Sequence, residues 1–527
     1  MKKNSRSVPK LSRLSAAVTA ATIAFGSVGT AEAANWFKLR GTEPGGTAHT
    51  LQVWGFLQPT FVNYDTSAIS GAVGKASPLN GTLPIPGTVP PRRTDKSSFY
   101  LRRARIGIRG TMIPISNDID YFILTEMGQN GITRPDHNMT VLDASVTFNQ
   151  LAGKRRDDGS KGLGMRFRMG QFLFSQTSET LSNSTPGRRV HIWMPEATFQ
   201  NALGRRVYDQ GPGNFTGTKV DGARDIGLEV FDWTEFGDPN SPYEFTYSLG
   251  VSNGDGIGIQ NADRNYRYYG WLSFAKLFDN TRGPRRHDAQ VYGFYQTGDI
   301  RFNNDLNGDG VPDHKQINPV TGLGGLAACG GVDACRIANA GNAKDINQKY
   351  WGIGVQYFNR PFKGYGQVRF NAQYEKAQGL TFDGQQVPSA LFSGPLFENF
   401  GLRYNPDGVN EGFYIDAGYD INKHLGIKKR TTINLRYDEY DRNKGNAGRA
   451  IHTEQLTLTG EYFFHKKARL TLSYGWRKWD ANDRTAGKII GSSGTPASRH
   501  NGNAVLSGVG NRFGAQVTFI FKNVLLR

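Results

Sequence analysis

The sequence predicts an exported all-β chain: a transmembrane antiparallel β-barrel of about sixteen strands, with long outer loops and short periplasmic turns. Three observations carry this expectation. The N-terminus reads as an export signal, strand-length segments alternate apolar and polar residues along the chain, and the connections between them are long on one rim and short on the other.

The export signal comes first. Lys2, Lys3, Arg6, Lys10 and Arg13 form a basic start, residues 14–29 form a short run of small and apolar residues, and Ala31-Glu32-Ala33 is a small-x-small cleavage pattern. Residues 1–33 are therefore expected to be a signal peptide of the Sec type, with the barrel occupying 34–527. No later stretch offers the roughly 20 consecutive apolar residues that a spanning helix needs. The mean hydropathy of −0.50 fits strands that alternate lipid-facing and water-facing side chains. The net charge of +18, about +14 without the signal, points to an anionic partner. Export makes nucleic acid the least fitting one.

Period-two segments then run from end to end: 51–62, 99–112, 118–128, 139–150, 163–173, 222–236, 243–252, 266–278, 288–300, 349–358, 365–378, 412–421, 430–441, 451–464, 468–480 and 508–521. Nearly all reach the roughly 9–11 residues of a tilted spanning strand. The longer connections fall near 64–97, 129–138, 174–221, 253–265, 301–347, 379–410, 442–450 and 481–507. The shorter ones fall near 113–116, 151–162, 237–241, 279–287, 359–364, 422–429 and 465–467. An even strand number places both termini on the short-turn side. A large soluble all-β protein would not need that asymmetry.

The phase of each strand separates two faces. In 468–480, Leu470, Leu472, Tyr474 and Trp476 suit lipid, and Arg469, Thr471, Ser473 and Arg477 suit water. In 163–170, Leu163, Met165, Phe167 and Met169 face out, and Arg166 and Arg168 face in. Aromatic residues at strand ends, such as Tyr357/Phe358 and Tyr462/Phe463/Phe464, are expected in interfacial girdles. Phe521 is expected to end the last strand.

The segment LRRARIGIRG at 101–110 carries the functional signal. Ala104, Ile106 and Ile108 share the lipid phase, so Arg103, Arg105 and Arg109 point into the lumen. Arg102 falls on the lipid phase and is expected to snorkel towards lipid phosphate beside Tyr100. Arg369, Arg436, Arg469, Arg477 and Arg512 also take the inner phase, as do Glu126, Asp143, Glu375, Asp416 and Asp438. Inner arginines can brace the wall against acids or line an anion path. For Arg103, Arg105 and Arg109 with Arg166 and Arg168, the anion path is the favoured reading.

The connection at 174–221 holds Arg188, Arg189, Arg205 and Arg206 around an apolar middle, residues 190–199. Such a loop can fold into the barrel and narrow it, its guanidinium forks suiting oxyanions. The alternative is a basic outer loop that meets lipopolysaccharide phosphates. Asp305, Asn307, Asp309 and Asp313 stand at positions one, three, five and nine of a calcium-type loop with Gly310 at six. Position twelve is Gln316, so the bidentate acid is missing, and an Asx-rich turn is the alternative. A structural calcium is expected there, and no cofactor is required. Cys329 and Cys335 read as one local disulfide in an oxidising compartment. The nine histidines fall mostly in loops or near strand ends, which leaves no catalytic constellation.

The segments FYLRRARIGIRGTM (99–112), DYFILTEMG (120–128), VLDASVTF (141–148) and RFRMGQFLFSQTSETLSNS (166–184) resemble the N-terminal half of the phosphate-selective porin O/P family. The resemblance implies a sixteen-stranded, trimeric outer-membrane porin with an arginine-lined path for phosphate or related anions. It places Arg102, Arg103 and Arg105 in that family's arginine-rich second strand. Three function classes follow: a passive anion-preferring porin in contact with outer-membrane lipid and lipopolysaccharide, a barrel that sheathes a partner such as a periplasmic multihaem cytochrome, and, least supported, an enzyme.

Overall fold

The computed structural model describes residues 51–68, 95–112, 118–128, 139–152, 164–174, 190–193, 224–235, 241–254, 265–278, 287–302, 344–361, 366–383, 403–442, 451–480 and 509–526, with isolated positions between them. Its strands are β1 (Leu51–Tyr64), β2 (Leu83–Pro84), β3 (Arg92–Arg93), β4 (Ser97–Thr111), β5 (Ile119–Glu126), β6 (Thr140–Ala152), β7 (Met165–Leu173), β8 (Arg224–Glu235) and β9 (Tyr243–Ser252). They continue as β10 (Arg267–Leu277), β11 (Asp288–Phe302), β12 (Lys344–Asn359), β13 (Val368–Asp383), β14 (Arg403–Asp420), β15 (Thr431–Arg442), β16 (Ile451–His465), β17 (Ala468–Asp480) and β18 (Arg512–Leu526).

The short strands β2 and β3 pair with each other inside the first long connection. The other sixteen form one closed barrel in which chain neighbours pair antiparallel, and β1 closes it against both β4 and β18. Closure leaves no open sheet edge, so every wall strand has hydrogen-bonding partners on both sides. All sixteen expected segments fall on wall strands, and the long and short connections alternate between the rims as expected. The last strand runs to Leu526, where Leu51 pairs with it, rather than ending at Phe521. Gly426 supplies the positive φ, 64°, that the β14–β15 turn requires.

Side-chain phase does what the alternation dictates. Leu470, Leu472, Tyr474 and Trp476 stand on the outer face of β17, and Leu57, Ile106, Leu249, Leu272, Ile353 and Leu435 are exposed on other strands. Phe358 and Phe463, expected in the outer girdles, are instead buried on the inner phase, because each neighbours an outward aromatic in the alternation. Tyr462 and Phe464 are exposed on the outside.

The inside is not uniformly polar. Phe231, Trp233, Trp271, Tyr292, Phe294, Tyr350 and Ala377 form a buried cluster on the inner wall from β8 to β13. Glycines on β12 make it possible. A Cβ at Gly354 would stand 2.3 Å from the Tyr292 ring, and one at Gly352 would stand 2.6 Å from Phe294. The Tyr292 and Tyr350 hydroxyls stay satisfied, donating to Gln373 (2.5 Å) and Glu375 (2.7 Å).

Candidate functional site: the inner wall and the segment held against it

From β4 to β8 the inner wall sets arginine against carboxylate. Arg105 Nε donates to Glu126 at 2.7 Å, and Glu126 also accepts from the amides of Ala104 and Gly128, each at 2.9 Å. Arg166 Nε donates to Asp232 (3.2 Å), and its Nη1 donates to Asn149 (2.6 Å), which in turn donates to Asp120 (2.6 Å). Arg168 reaches Glu229 at 3.2 Å, and Ser248 donates to the same carboxylate at 2.6 Å. Arg224 reaches across β7 to Asp143 at 2.9 Å. Aromatic faces complete several of these sites: Arg166 lies 4.3 Å from the Trp233 ring, and Arg168 lies 4.7 Å from Phe231. A buried ion pair survives desolvation when hydrogen bonds satisfy both partners, as the Ala104 and Gly128 amides help to do for Glu126 beside Arg105.

Three of the five arginines expected along an anion path, Arg105, Arg166 and Arg168, therefore each hold a carboxylate. Arg103 donates to Gln58 (3.2 Å) and Arg109 to Gln52 (2.8 Å), both on β1. Four of the five acids on the expected inner phase, Glu126, Asp143, Asp416 and Asp438, are bracing partners, and Glu375 accepts from Tyr350 and Gln373. Arg369 pairs with Asp416, Arg436 with Asp438 at 2.5 Å, and Arg469 with Glu461 at 2.9 Å.

A second stretch, β17–β18–β1 and the upper part of β4, differs. Its inner positions near the long-connection rim are Arg477, Arg512, Tyr64, Val62, Tyr100, Arg102 and Arg103, with Ser473, Gln516, Thr60 and Gln58 below them, and none of these positions is a carboxylate. Arg477 donates twice to the Gly510 carbonyl, at 2.9 and 2.6 Å, and Arg512 donates to Gln455 at 2.7 Å. Arg102 corrects the expectation that it faces lipid. The β1–β4 register shifts between Gln58 and Pro59, making Arg102 the extra residue of a β-bulge. It lies half-buried within reach of Tyr100, Tyr64, Arg105 and the Glu126 carboxylate.

Against this stretch lies part of the 174–223 connection. Val190, His191, Ile192 and Trp193 are all buried. Ile192 and Trp193 pack on Val62 and Tyr64 of β1. The Trp193 ring faces Arg512 at 4.3 Å. Gly514 makes the room: a Cβ there would stand 2.5 Å from Trp193. His191 reaches the neighbouring wall, β16 and β14, with Nδ1 2.8 Å from Thr459 Oγ1 and Nε2 3.0 Å from Asp416. Val190 lines a small cavity with Phe358, Arg369, Tyr419, Arg430 and Phe463. The expectation that the apolar middle of this connection enters the barrel holds for these four residues. Arg188, Arg189, Arg205 and Arg206 lie outside the described residues, as do the calcium-type loop at Asp305, Asn307, Asp309 and Asp313, the Cys329–Cys335 pair and the signal segment.

Sequence reasoning missed Arg224 and the inward turn of Arg102. A partner search two strands away from Asp143 would have been needed for the first. A bulge, which leaves no compositional mark in an arginine-rich strand, decided the second. His191 was grouped with loop histidines, although its apolar neighbours Val190, Ile192 and Trp193 were a signal for burial.

Among the described residues, Glu439, Asp441 and His452 form the one group with metal-ligand spacing, on the outer face of β15 and β16. His452 is already held between Asp441 (2.7 Å) and Glu454 (3.0 Å).

The sixteen wall strands close into one antiparallel barrel around this inner wall. No family description and no curated protein matches the sequence. Among solved structures, the chain is similar to an anion-selective porin from Comamonas acidovorans, with 14% identity over 90% of this chain and 99% of that one, and a TM-score of 0.43. It is also similar to the outer-membrane channel DcaP of Acinetobacter baumannii, with 11% identity over 89% and 97% and a TM-score of 0.43. Salmonella typhi OmpF, in complex with daunomycin, aligns with 10% identity over 90% and 98% and a TM-score of 0.41.

Proposed function

We propose that the chain is an outer-membrane porin, a passive diffusion channel that prefers small anions, phosphate and related oxyanions among them. The observation that carries this reading is a stretch of inner wall where Arg477 and Arg512 stand on adjacent strands and make no ion pair among the described residues. Fixed cations on a lumen wall raise the local anion concentration, and near physiological salt they act over about 8–10 Å. The braced arginines of β4–β8 contribute less to this field, since each is neutralised by its carboxylate. The long-connection rim faces outward and meets lipopolysaccharide, the termini lie on the periplasmic side, and three copies assemble in the membrane, as the family resemblance implies.

The alternative, a barrel that sheathes a cytochrome, needs a hollow lumen. The buried inner aromatic cluster and the segment 190–193 occupy space that such a partner would need. Reversal potentials of the purified full chain in planar bilayers, under a potassium chloride gradient, test the proposal. The expected result is chloride over potassium, most marked at low salt. Cation preference overturns the reading.

A further inference from the structure

The charge of the chain is not shared evenly between the rims. The seven short connections named above hold fourteen lysines and arginines against four aspartates. The eight long connections, several times longer in total, hold twenty-two lysines and arginines against eighteen acids. Most of the +14 expected without the signal segment therefore sits on the short-connection rim. Two of its turns are described in full. Lys423, Lys428 and Lys429 are exposed on the β14–β15 turn, and Lys466 and Lys467 are exposed on the β16–β17 turn. The Phe463 amide donates to the Arg430 carbonyl at 2.9 Å, which sets the two turns side by side across the β15–β16 pair. The acids next to them in the chain, Asp420 and Glu461, face inward and are held by Arg430 and Arg469. The neighbouring connection at 359–364 adds Arg360 and Lys363 and no acid.

The outer face beside these lysines is apolar. Ile433, Tyr462, Phe464, Phe519 and Phe521 are exposed on it, and the Phe464 and Phe519 rings lie 6.3 Å apart. Lys466 stands two residues beyond Phe464, ~7 Å along an extended chain and within the reach of a lysine side chain. The His424 ring lies 5.5 Å from the ring of Tyr419, which pairs with the outward Ile433, so the β14–β15 turn leans over the lipid-facing side. An aromatic girdle marks the edge of the hydrocarbon layer, and the next layer out is the lipid phosphates. Resting on the outer-membrane reading above, we propose that this sector of the short-turn rim is a docking surface for anionic phospholipid of the leaflet on the side of the termini. The five ammonium groups hold the headgroup phosphates, and the girdle rings meet the upper acyl chains. A lysine stem can cross the apolar belt while its charge stays in water. Each basic residue held at an anionic leaflet adds to the attraction, which fades within a Debye length. A zwitterionic lipid carries its own cation beside the phosphate and offers no such net attraction.

The experiment is native mass spectrometry of the purified full chain in detergent, with equal amounts of phosphatidylglycerol and phosphatidylcholine bearing the same acyl chains. The wild type should retain phosphatidylglycerol over phosphatidylcholine, and added salt should erode the preference. The variant Lys423→Gln/Lys428→Gln/Lys429→Gln/Lys466→Gln/Lys467→Gln should lower the preference about tenfold. Its wall is untouched, and heat-dependent gel mobility reports whether it folds. Lys466→Gln/Lys467→Gln should lower the preference about threefold and decides the matter if the larger variant does not fold. Lys444→Gln/Lys478→Gln changes lysines of the other rim, each already beside a glutamate, and should keep the preference. Equal retention of the two lipids by the wild type, or an unchanged preference in the five-lysine variant, overturns the lipid surface. Pelleting of the wild type with purified peptidoglycan sacculi that is lost in the five-lysine variant while lipid preference stays also overturns it, and gives the patch to the cell wall. Surface labelling of a tag at 465–467 on intact cells overturns the assignment to the leaflet at the termini. None of these results bears on anion preference, which the reversal potentials decide separately.

Discussion

The β4–β8 wall and the β17–β18–β1 wall use the same residue for opposite ends. In the first, Arg105, Arg166, Arg168 and Arg224 each meet a carboxylate, and the wall becomes a neutral lattice of ion pairs. In the second, Arg477 and Arg512 meet a carbonyl, an amide and two rings, and neither makes an ion pair among the described residues. Inward arginine is therefore not itself a sign of an anion path. A carboxylate beside it marks a brace.

That contrast is most exposed to stability measurements. Glu126→Gln leaves Arg105 buried beside a neutral amide, and Asp143→Asn does the same to Arg224. Breaking one side of a buried pair costs about 3–5 kcal/mol, so both variants should unfold at clearly lower temperature or denaturant. Arg477→Gln removes a buried cation that makes no ion pair among the described residues and should leave stability unchanged or raised. Thermal unfolding followed by circular dichroism in detergent, together with the heat-dependent gel mobility of folded barrels, reads both. If Glu126→Gln and Arg477→Gln shift stability alike, the two walls do not differ as described.

A smaller effect is expected where the segment 190–193 leans on the second wall. Gly514→Val places side-chain atoms where the Trp193 ring lies, and overpacking of this kind costs about 1–3 kcal/mol. The barrel should fold, with the segment displaced, and single-channel conductance should rise. Trp193→Ala should raise conductance as well, without the strain. Unchanged conductance in both variants would show that the segment does not narrow the conducting path.

The smallest effect concerns the loop at 305–313, remote from either wall in sequence. Calorimetry should detect calcium binding to the wild type and lose it in Asp309→Ala, while chloride preference stays the same. Identical traces without heat reduce the loop to an Asx-rich turn.

Much of this was legible in the residues. Period-two alternation is a property of each strand alone, so Leu470, Leu472 and Trp476 announce the lipid face of β17 without knowledge of any neighbour. By itself, then, the sequence determined the strands, their two faces, the asymmetry of the rims and the inward aim of most arginines, because these depend on neighbours within one strand or one hairpin. Only the tertiary structure decided which arginines are spent as braces. Arg224 finds Asp143 from two strands away, a one-residue bulge turns Arg102 from lipid to lumen, and Trp193 reaches Arg512 from a distant connection. Each of these depends on register summed around a closed sheet and on side-chain reach across it, and no local pattern encodes either quantity.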